Sequence, residues 1–271
     1  MTDHRHRWRI EPGHRPKLDH VDTRSTDGAP GDKDATKARC EELLAELSEL
    51  QLRLWAEHER SLLLVLQAMD AGGKDGTIRK VFTGVNPQGV RVASFKAPSS
   101  IELEHDFLWR IHAEAPGHGE IGVFNRSHYE DVLIVRVNDL VPEGVWRARY
   151  GHIRAFEQNL SAAGTTVVKV FLHISKDEQK ERFQARLDDP TKRWKFAKAD
   201  LEVREHWDAY QEAFADAISE TTTEVQPWFV VPADRKWYRD WVVLEILVAT
   251  LKEMDPQYPA EEAGLSDIEI V

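Results

Sequence analysis

The residues with the clearest chemical potential lie at positions 62–77, LLLVLQAMDAGGKDGT, where a lysine stands in a glycine-rich loop. In such a loop (residues 71–76, called the glycine loop below) backbone N–H groups can converge on an anion, and Lys74 adds a full positive charge. An apolar run precedes the loop and a predicted helix, 77–82, follows it. This order predicts a phosphate-binding site. The candidate phosphate-binding residues are Gly72, Gly73, Lys74, Gly76 and Thr77.

The loop departs from the common G-x-x-x-x-G-K-[ST] pattern at two positions. Ala68 replaces the first glycine, and Asp75 stands where a Ser or Thr would bind magnesium. A carboxylate beside a phosphate-binding lysine suits a site that holds a metal or orients an acceptor. The alternative is that GGKDG is an ordinary turn. The run 62–66, typical of a strand buried on both faces, favours the phosphate site.

A second polar cluster, residues 125–131 (NRSHYED), follows a predicted strand at 120–124. Arg126, at the strand tip, could clamp a phosphate with two parallel hydrogen bonds. Glu130 or Asp131 could supply the hard oxygen ligands that magnesium prefers. The alternative is that these two acids only begin a helix, where carboxylates are favoured.

Residues 169–198 form a basic segment in an acidic protein. They include nine Lys and Arg against five Asp and Glu, a net charge of +4, while the whole chain carries −11. Such a segment is either a solvated helix face or a lid that closes over phosphates and excludes water. Arg182 and Arg186 are four residues apart and share one helix face. Arg193 and Lys195 follow a predicted break at 188–190.

These clusters require an alternation of strands and helices to bring them together. Strands are predicted at 61–67, 89–95, 120–124, 166–174 and 228–231, and helices at 35–60, 77–82, 101–113, 141–163, 175–187, 200–221 and 234–253. Strands separated by helices predict a parallel sheet with helices on both faces and ligands at the carboxyl ends of the strands. Residues 1–35 are predicted to be an extended or loosely ordered arm, and 260–271 an acidic tail.

Composition excludes several classes of protein. The single cysteine, Cys40, cannot form an intramolecular disulfide, so a reducing cytoplasm is expected. No apolar run approaches the roughly 18–20 residues that span a bilayer, and no membrane partner is expected. The net charge of −11 argues against nucleic acid as a partner.

Several long motifs together resemble the polyphosphate kinase 2 family: AMDAGGKDGTIRKVF, GVNPQGVRVASFKAP, FNRSHYEDVLIVRV, FLHISKDEQ, WKF and PADRKWYR. The resemblance covers residues from about 60 to 259. It implies a thymidylate-kinase-like P-loop kinase, an α/β fold of three layers with a parallel central sheet and a helical lid. The kinase domain would span 36–259, with the lid at about 175–200.

The resemblance also implies reversible phosphoryl transfer from inorganic polyphosphate to nucleotides, dependent on Mg²⁺, with Mn²⁺ as an alternative. The NRSHYED motif is similar to the class III pattern, in which Glu130 is the distinguishing position and both AMP and ADP are phosphorylated, giving ATP. A homo-oligomer, dimer or tetramer, is expected.

Asp75 would hold the metal or act on the acceptor phosphate, and Asp70 would either join the metal ligands or cap the loop. The candidate catalytic residues are Lys74, Asp75, Arg126, Asp131 and Arg186; the metal ligands are Asp70, Asp75 and Asp131; the polyphosphate-binding residues of the lid are Arg182, Arg193 and Lys195.

Two other functions fit the same sequence features. An ATP-dependent nucleoside monophosphate kinase would share the core and the lid. A non-catalytic module would bind nucleotide or polyphosphate at the glycine loop without transfer. Two acidic clusters and a basic lid are more than binding requires, and the identity of the donor separates the two kinases.

Overall fold

A mixed sheet forms the centre of the molecule. In the computed structural model, which describes residues 5–265, 268 and 270, the sheet has six strands in the order β1-β6-β5-β2-β4-β3. The strands β2 to β6 are parallel, and β1 pairs antiparallel with β6. The strands are β1 (Arg9–Ile10), β2 (Ser61–Gln67), β3 (Val90–Ser94), β4 (Ile121–Asn125), β5 (Thr165–His173) and β6 (Trp228–Pro232).

Helices cover the sheet in two groups, as expected for a three-layer fold. The long helices α1 and α10 pack on each other with α2 beside them, and α6 packs on α9 and β5. The helices are α1 (Lys33–Glu57), α2 (Lys74–Val81), α3 (Ser100–Leu103), α4 (Trp109–His112), α5 (Ile134–Val137), α6 (Glu143–Ala162), α7 (Lys176–Asp188), α8 (Ala199–Glu205), α9 (Trp207–Thr221) and α10 (Lys236–Met254). Among the described residues, none of these helices is both long and apolar enough to cross a bilayer.

Strand β2 lies in the middle of the sheet, which explains its continuous apolar sequence. Every residue of Ser61–Gln67 is buried, and Leu64 faces Val123 of β4 on one side and Val168 of β5 on the other. The chain adds β3 and β4 on one side of β2, and later adds β5 and β6 on the other. The glycine loop therefore leaves the sheet where the strand order reverses, the position at which parallel α/β sheets bind ligands.

The predicted strands are confirmed within about one residue at each end, but two predicted helices are wrong. The segment 101–113 contains the separate helices α3 and α4, because Asp106 accepts a hydrogen bond from the Leu108 N–H (2.9 Å) between them. The segment 200–221 is divided into α8 and α9 at His206.

The N-terminal segment has little regular structure, but it lies against the folded core. Trp8 is buried and its indole N–H donates to the Tyr238 hydroxyl (3.2 Å). Leu18 is also buried, and Ile10 pairs with Trp228 in the sheet. The predicted parallel central sheet is confirmed, and the N-terminal segment adds one antiparallel strand at its edge. Parts of the predicted arm (1–4) and acidic tail (266, 267, 269 and 271) lie outside the described residues, and 260–265 are exposed.

A buried ion pair fixes the turn that follows β4. The Lys169 amine donates to Glu157 (2.6 Å) and to the Thr221 carbonyl (2.6 Å), with no exposure of either charged side chain. Glu157 also accepts from the Tyr129 hydroxyl (2.8 Å) and contacts His128 (3.3 Å). Burial alone would raise the pKa of Glu157, but Lys169 and His128 outweigh it and lower the pKa. The carboxylate is therefore ionised, and His128 is a buried structural member of this network.

Replacing Lys169 with Met should destabilise the protein by about 3–5 kcal/mol, because an ionised Glu157 would remain buried without its partner. Urea unfolding followed by circular dichroism would measure the loss. The double variant Lys169→Met/Glu157→Gln removes both charges and should lose clearly less. Equal losses in the single and double variants would show that the charge of Glu157 is not what makes the single change costly.

Candidate active site

A cavity of about 970 Å³ (the main cavity) opens at the carboxyl ends of the strands. Its walls are formed by the glycine loop, the ends of β3 and β4, the lid (residues 175–200) and the first turn of α10. Ten of the predicted site residues line this cavity, and an eleventh, Thr77, lies buried in the helix behind the loop. The ten are Asp70, Gly72, Gly73, Lys74, Asp75, Gly76, Arg126, Arg182, Arg186 and Lys195.

The glycine loop turns sharply from β2 into α2. Gly73, with φ of 104°, is the residue before the helix, and its carbonyl accepts the Thr77 N–H (2.9 Å). A Cβ on Gly72 would lie 2.4 Å from that of Ala68, so only glycine fits there. The helix begins at Lys74, three residues earlier than predicted, and the positive end of its dipole faces the main cavity.

Lys74 is buried, and its amine donates to the Ala68 carbonyl (3.0 Å). No carboxylate of the described residues lies within ion-pair distance of this amine. Burial, and next the charge of Arg126, lower the pKa of Lys74, while Asp70 acts in the opposite direction. A bound phosphate would give this lysine the negatively charged partner that it lacks.

Arg126 lies at the end of β4, as predicted, and lines the main cavity. Its backbone has φ of 62°, and its guanidinium donates to Asp70 (2.7 Å). Burial alone would lower the pKa of Arg126, but Glu130 and Asp70 outweigh it and raise the pKa. The arginine is therefore charged and held in place by Asp70.

Asp75 connects the glycine loop to β4 and to the lid. Its side chain is 70% exposed and accepts a hydrogen bond from the Asn125 amide (2.8 Å). The amine of Lys195, on the lid, lies 3.8 Å from its second oxygen. The lid thus reaches over the loop, and the aspartate has room for a further ligand.

The cations of the lid differ in their contacts. Arg182 is almost buried, since it donates to Glu178 (2.7 Å) and to the carbonyls of Ala71 (2.9 Å) and Ala233 (2.6 Å). Arg186 lines the main cavity and donates only to the Lys195 carbonyl (2.9 Å) among the described residues.

The predicted polyphosphate-binding Arg193 has a different position from these residues. It is exposed, donates to the Leu187 carbonyl (2.8 Å) and does not line the main cavity. The structure therefore brings Arg182, Arg186 and Lys195 to the glycine loop, but not Arg193.

The structure does not bring Asp131 to the glycine loop either. Asp131 forms an ion pair with Arg149 of α6 (3.0 Å), and burial, the largest influence, raises its pKa. The turn after β4 directs His128 and Tyr129 into the core, which turns Asp131 towards α6. Glu130 lies behind Arg126, on the wall of a separate cavity of about 40 Å³.

Three residues of the site were missed by the sequence interpretation: Asn125, Lys236 and Arg239. Arg239 is buried, and its Nη1 atom has no hydrogen-bond partner among the described residues. A Cβ added to Gly73 would lie 2.1 Å from this atom, so the guanidinium lies directly against the loop. The only sign of Lys236 and Arg239 in the sequence was their place in the motif PADRKWYR.

The oxygen donors of the main cavity fit magnesium. Asp70 and Asp75 both line it, although the described residues contain no cluster of three or more His, Cys, Asp or Glu side chains suited to a metal. Magnesium usually binds one or two carboxylates and completes its coordination with phosphate oxygens and water. Two carboxylates beside a phosphate site therefore suffice, and Asp131 is not among them.

Comparison with known families and proteins identifies clear relatives. The family described as polyphosphate kinase 2 matches residues 31–259. The chain is 54% identical over 264 residues to the AMP/ADP-polyphosphate phosphotransferase of Meiothermus ruber, covering 97% of this chain and 99% of the relative. It is 51% identical over 225 residues to the ADP-polyphosphate phosphotransferase of Rhodopseudomonas palustris, covering 79% and 78%.

The fold agrees with solved structures. The crystal structure of polyphosphate kinase 2 from Arthrobacter aurescens TC1 superposes with a TM-score of 0.92 at 44% identity, covering 96% of this chain and 93% of that one. A second structure, of a putative polyphosphate kinase 2 from Pseudomonas aeruginosa, gives 0.81 at 34% identity, covering 87% and 50%.

Gly73→Ala should remove most of the phosphoryl-transfer activity, because the new Cβ would collide with Arg239 in a backbone conformation that already disfavours side chains. Gly84→Ala is a matched control: Gly84 has φ of 82°, but nothing lies within 4 Å of its added Cβ. Each change should cost about 1–2 kcal/mol of stability from the left-handed backbone. Similar activity loss in both variants would show that strain, not contact with Arg239, matters.

Proposed function

The chain belongs to the polyphosphate kinase 2 family, and we propose that it transfers phosphoryl groups reversibly between inorganic polyphosphate and the nucleotides AMP and ADP. The names of the relatives from Meiothermus ruber and Rhodopseudomonas palustris support this donor and these acceptors. Sequence coverage of nearly the full length of the first relative supports the same activity for the whole chain.

The observation that carries the proposal is the charge of the main cavity. Six cations on its walls have no carboxylate partner within 4 Å among the described residues. They are Lys74, Arg79, Lys80, Lys96, Arg186 and Lys236. Unpaired cations crowded into one cavity of a protein with a net charge of −11 repel each other unless an anion binds. Two phosphate-bearing substrates supply such anions.

The chemical difficulty is repulsion between a polyanionic donor and an anionic acceptor. The cations of the glycine loop, of α2 and of the lid neutralise both, and the fixed backbone N–H groups at the start of α2 align the transferred group. A general base has little to do, since a terminal phosphate is largely deprotonated near neutral pH. Closing the lid excludes water, which would otherwise accept the phosphoryl group.

We assign Asp75 to metal binding and positioning. Asn125 holds one of its oxygens, and the exposed carboxylate points into the main cavity. Asp70 is the second candidate ligand, although its bond to Arg126 also supports a purely structural role. Bound Mg²⁺, or Mn²⁺ in its place, would supply positive charge between the phosphate oxygens.

Selection between AMP and ADP is assigned to Glu130. Its carboxylate lies near Arg126 and raises the pKa of that arginine. An acidic group at this position therefore acts on the main cavity through Arg126 instead of touching the cavity itself. This arrangement supports an influence on acceptor choice.

We also propose that the protein is a cytoplasmic homo-oligomer, a dimer or tetramer. Large apolar side chains are exposed along residues 92–109, at the edge strand β3 and the helices that follow it. They are Val92, Ile101, Leu103 and Trp109. Contacts between copies would remove this apolar surface from water.

The test is an incubation of the purified protein with polyphosphate, Mg²⁺ and AMP, without ATP. Formation of ADP and then ATP is expected. Transfer to AMP only when ATP replaces polyphosphate would instead identify an ATP-dependent nucleoside monophosphate kinase. Binding of either anion without any product would identify a non-catalytic module.

Arg186→Ala should lower kcat by about 100-fold or more, because the variant loses an unpaired guanidinium in the main cavity. Arg193→Ala removes an equal charge from the same lid but outside this cavity, so its kcat should change little. Steady-state kinetics with polyphosphate and ADP would measure both, with thermal unfolding as the control for stability. Equal losses in the two variants would contradict the assignment of Arg186.

Asp75→Asn should nearly abolish transfer, whereas Asp131→Asn should mainly reduce stability through loss of the ion pair with Arg149. The comparison decides between two assignments. The structure places Asp75, but not Asp131, on the wall of the main cavity, whereas the sequence predicted that both are metal ligands. Measuring kcat over a Mg²⁺ titration separates the two outcomes. A stronger loss of kcat in Asp131→Asn, with a raised Mg²⁺ requirement, would restore Asp131 as a ligand.

A further inference from the structure

The central strand β2 ends in a buried amide. Gln67, its last residue, is fully buried, although the residues at 62–66 before it are all leucine or valine. Burying an amide in a protein core is unfavourable unless its polar atoms find partners. The side chain lines neither the main cavity nor the small cavity beside Glu130. Direct contact with a substrate therefore does not explain this amide.

The partners of Gln67 lie in the turn that follows β4. With the amide oriented to satisfy the groups around it, its oxygen accepts the N–H (3.2 Å) and the hydroxyl (3.2 Å) of Ser127, and its nitrogen donates to Glu130 Oε1 (3.1 Å). Ser127 is also buried, and its hydroxyl oxygen accepts the Tyr129 N–H (3.2 Å). Gln67 therefore joins the end of β2 to the turn that carries both Arg126 and Glu130.

The carboxylate of Glu130 depends on this bond for its position. Among the described residues, no other group donates a hydrogen bond to it, and it forms no ion pair. Its charge is nevertheless the largest of the influences that raise the pKa of Arg126. The Arg126 guanidinium is already bonded to Asp70 (2.7 Å) and lines the main cavity. If Glu130 came into contact with it, fewer of its N–H groups would remain for a phosphate.

We propose that Gln67 is a positioning residue for the choice of acceptor: its amide holds the Glu130 carboxylate out of contact with Arg126, so that the guanidinium stays available to the acceptor phosphate. The inference rests on the proposed function, in which Glu130 selects between AMP and ADP, and adds to it the residue that fixes Glu130. A neutral amide suits this role, because an apolar side chain offers no donor and a carboxylate would repel Glu130.

The two acceptors should respond differently when Glu130 is released. AMP has a single phosphate, which must bind the cations of the site and also accept the phosphoryl group. ADP has a second phosphate, which other cations of the main cavity, such as Lys74 and Arg186, can hold. Pairing of Arg126 with Glu130 should therefore impair transfer to AMP more than transfer to ADP.

The test is Gln67→Met, which keeps an unbranched side chain of similar length and removes the donor. With polyphosphate as the donor, kcat/KM for AMP relative to that for ADP should fall about ten-fold, the size expected for one hydrogen bond to a charged group. Steady-state kinetics with each acceptor measure the ratio, and thermal unfolding checks that the protein is folded. If Gln67→Met does not fold, Gln67→Asn makes the same test, because its amide is one methylene too short to reach Glu130.

Gln226→Met is the matched control. Gln226 is also a buried amide with side-chain hydrogen bonds, to the hydroxyl groups of Ser161 (2.8 Å) and Thr223 (2.9 Å), but it lines neither cavity. Its replacement should leave the ratio of AMP to ADP within about two-fold of the wild-type value, since the site is distant from these contacts. A general loosening of the core would instead change the ratio in both variants.

A double-variant cycle separates an action through Glu130 from any other action of Gln67. In Glu130→Gln the carboxylate is absent, so adding Gln67→Met should change the ratio by less than about two-fold. Three results would overturn the proposal: the same change in both backgrounds, an equal loss of kcat/KM for AMP and ADP, or a ratio that Gln67→Met leaves unchanged or raises.

None of these three results would disturb the proposed function, because polyphosphate-dependent turnover of the wild-type protein tests that separately. An unchanged ratio in Glu130→Gln alone would remove the assignment of Glu130 to acceptor choice, and the role of Gln67 with it. Absence of any polyphosphate-dependent turnover in the wild-type protein would remove all three assignments.

Discussion

Crowded positive charge at the carboxyl ends of the parallel strands is the constraint on which the rest of the structure depends. Cations that must meet two polyanions also repel each other before the substrates arrive. The protein holds several of them with backbone carbonyls and with carboxylates of the same helices. Ala68 binds Lys74, and Glu178 and Asp240 bind Arg182 and Arg239. The cations are therefore fixed in advance, and little reorganisation is needed when charge moves during transfer.

The same constraint explains a buried ion pair, Lys169 and Glu157, that does not line the main cavity. Arg126 has a left-handed backbone, which a non-glycine residue adopts only where the surrounding structure holds it. On one side its N–H donates to Leu66 of β2 (3.1 Å). On the other, the turn that follows is anchored by Tyr129 on Glu157, which Lys169 neutralises. The charged network in the core thus determines where a cation of the main cavity lies.

The sequence was sufficient for features that depend on local pattern. A continuous apolar run identified β2, and glycines beside Lys74 identified the loop, because these residue types limit the backbone directly. Asp131 was misplaced since the direction of the turn after β4 depends on contacts with α6, which no local pattern encodes. Arg239 was missed for a related reason. It reaches the loop from a helix near the end of the chain, and only the tertiary fold brings it against Gly73.

The first helix of the lid is fixed to the glycine loop by Arg182, which donates to the Ala71 carbonyl (2.9 Å), whereas the outer part of the lid, which carries Lys195, has weaker contacts with the loop. Lys195 and Asp75 are 3.8 Å apart and partly exposed, and an exposed pair of this kind contributes about 0–1 kcal/mol. The bond from Arg186 to the Lys195 carbonyl lies within the lid and cannot fix it to the loop. A polyphosphate chain beneath the lid would instead contact several cations of both parts at once, through stronger charge-assisted hydrogen bonds. We infer that this outer part of the lid closes after the donor binds, so that water is excluded when a phosphoryl group is ready for transfer.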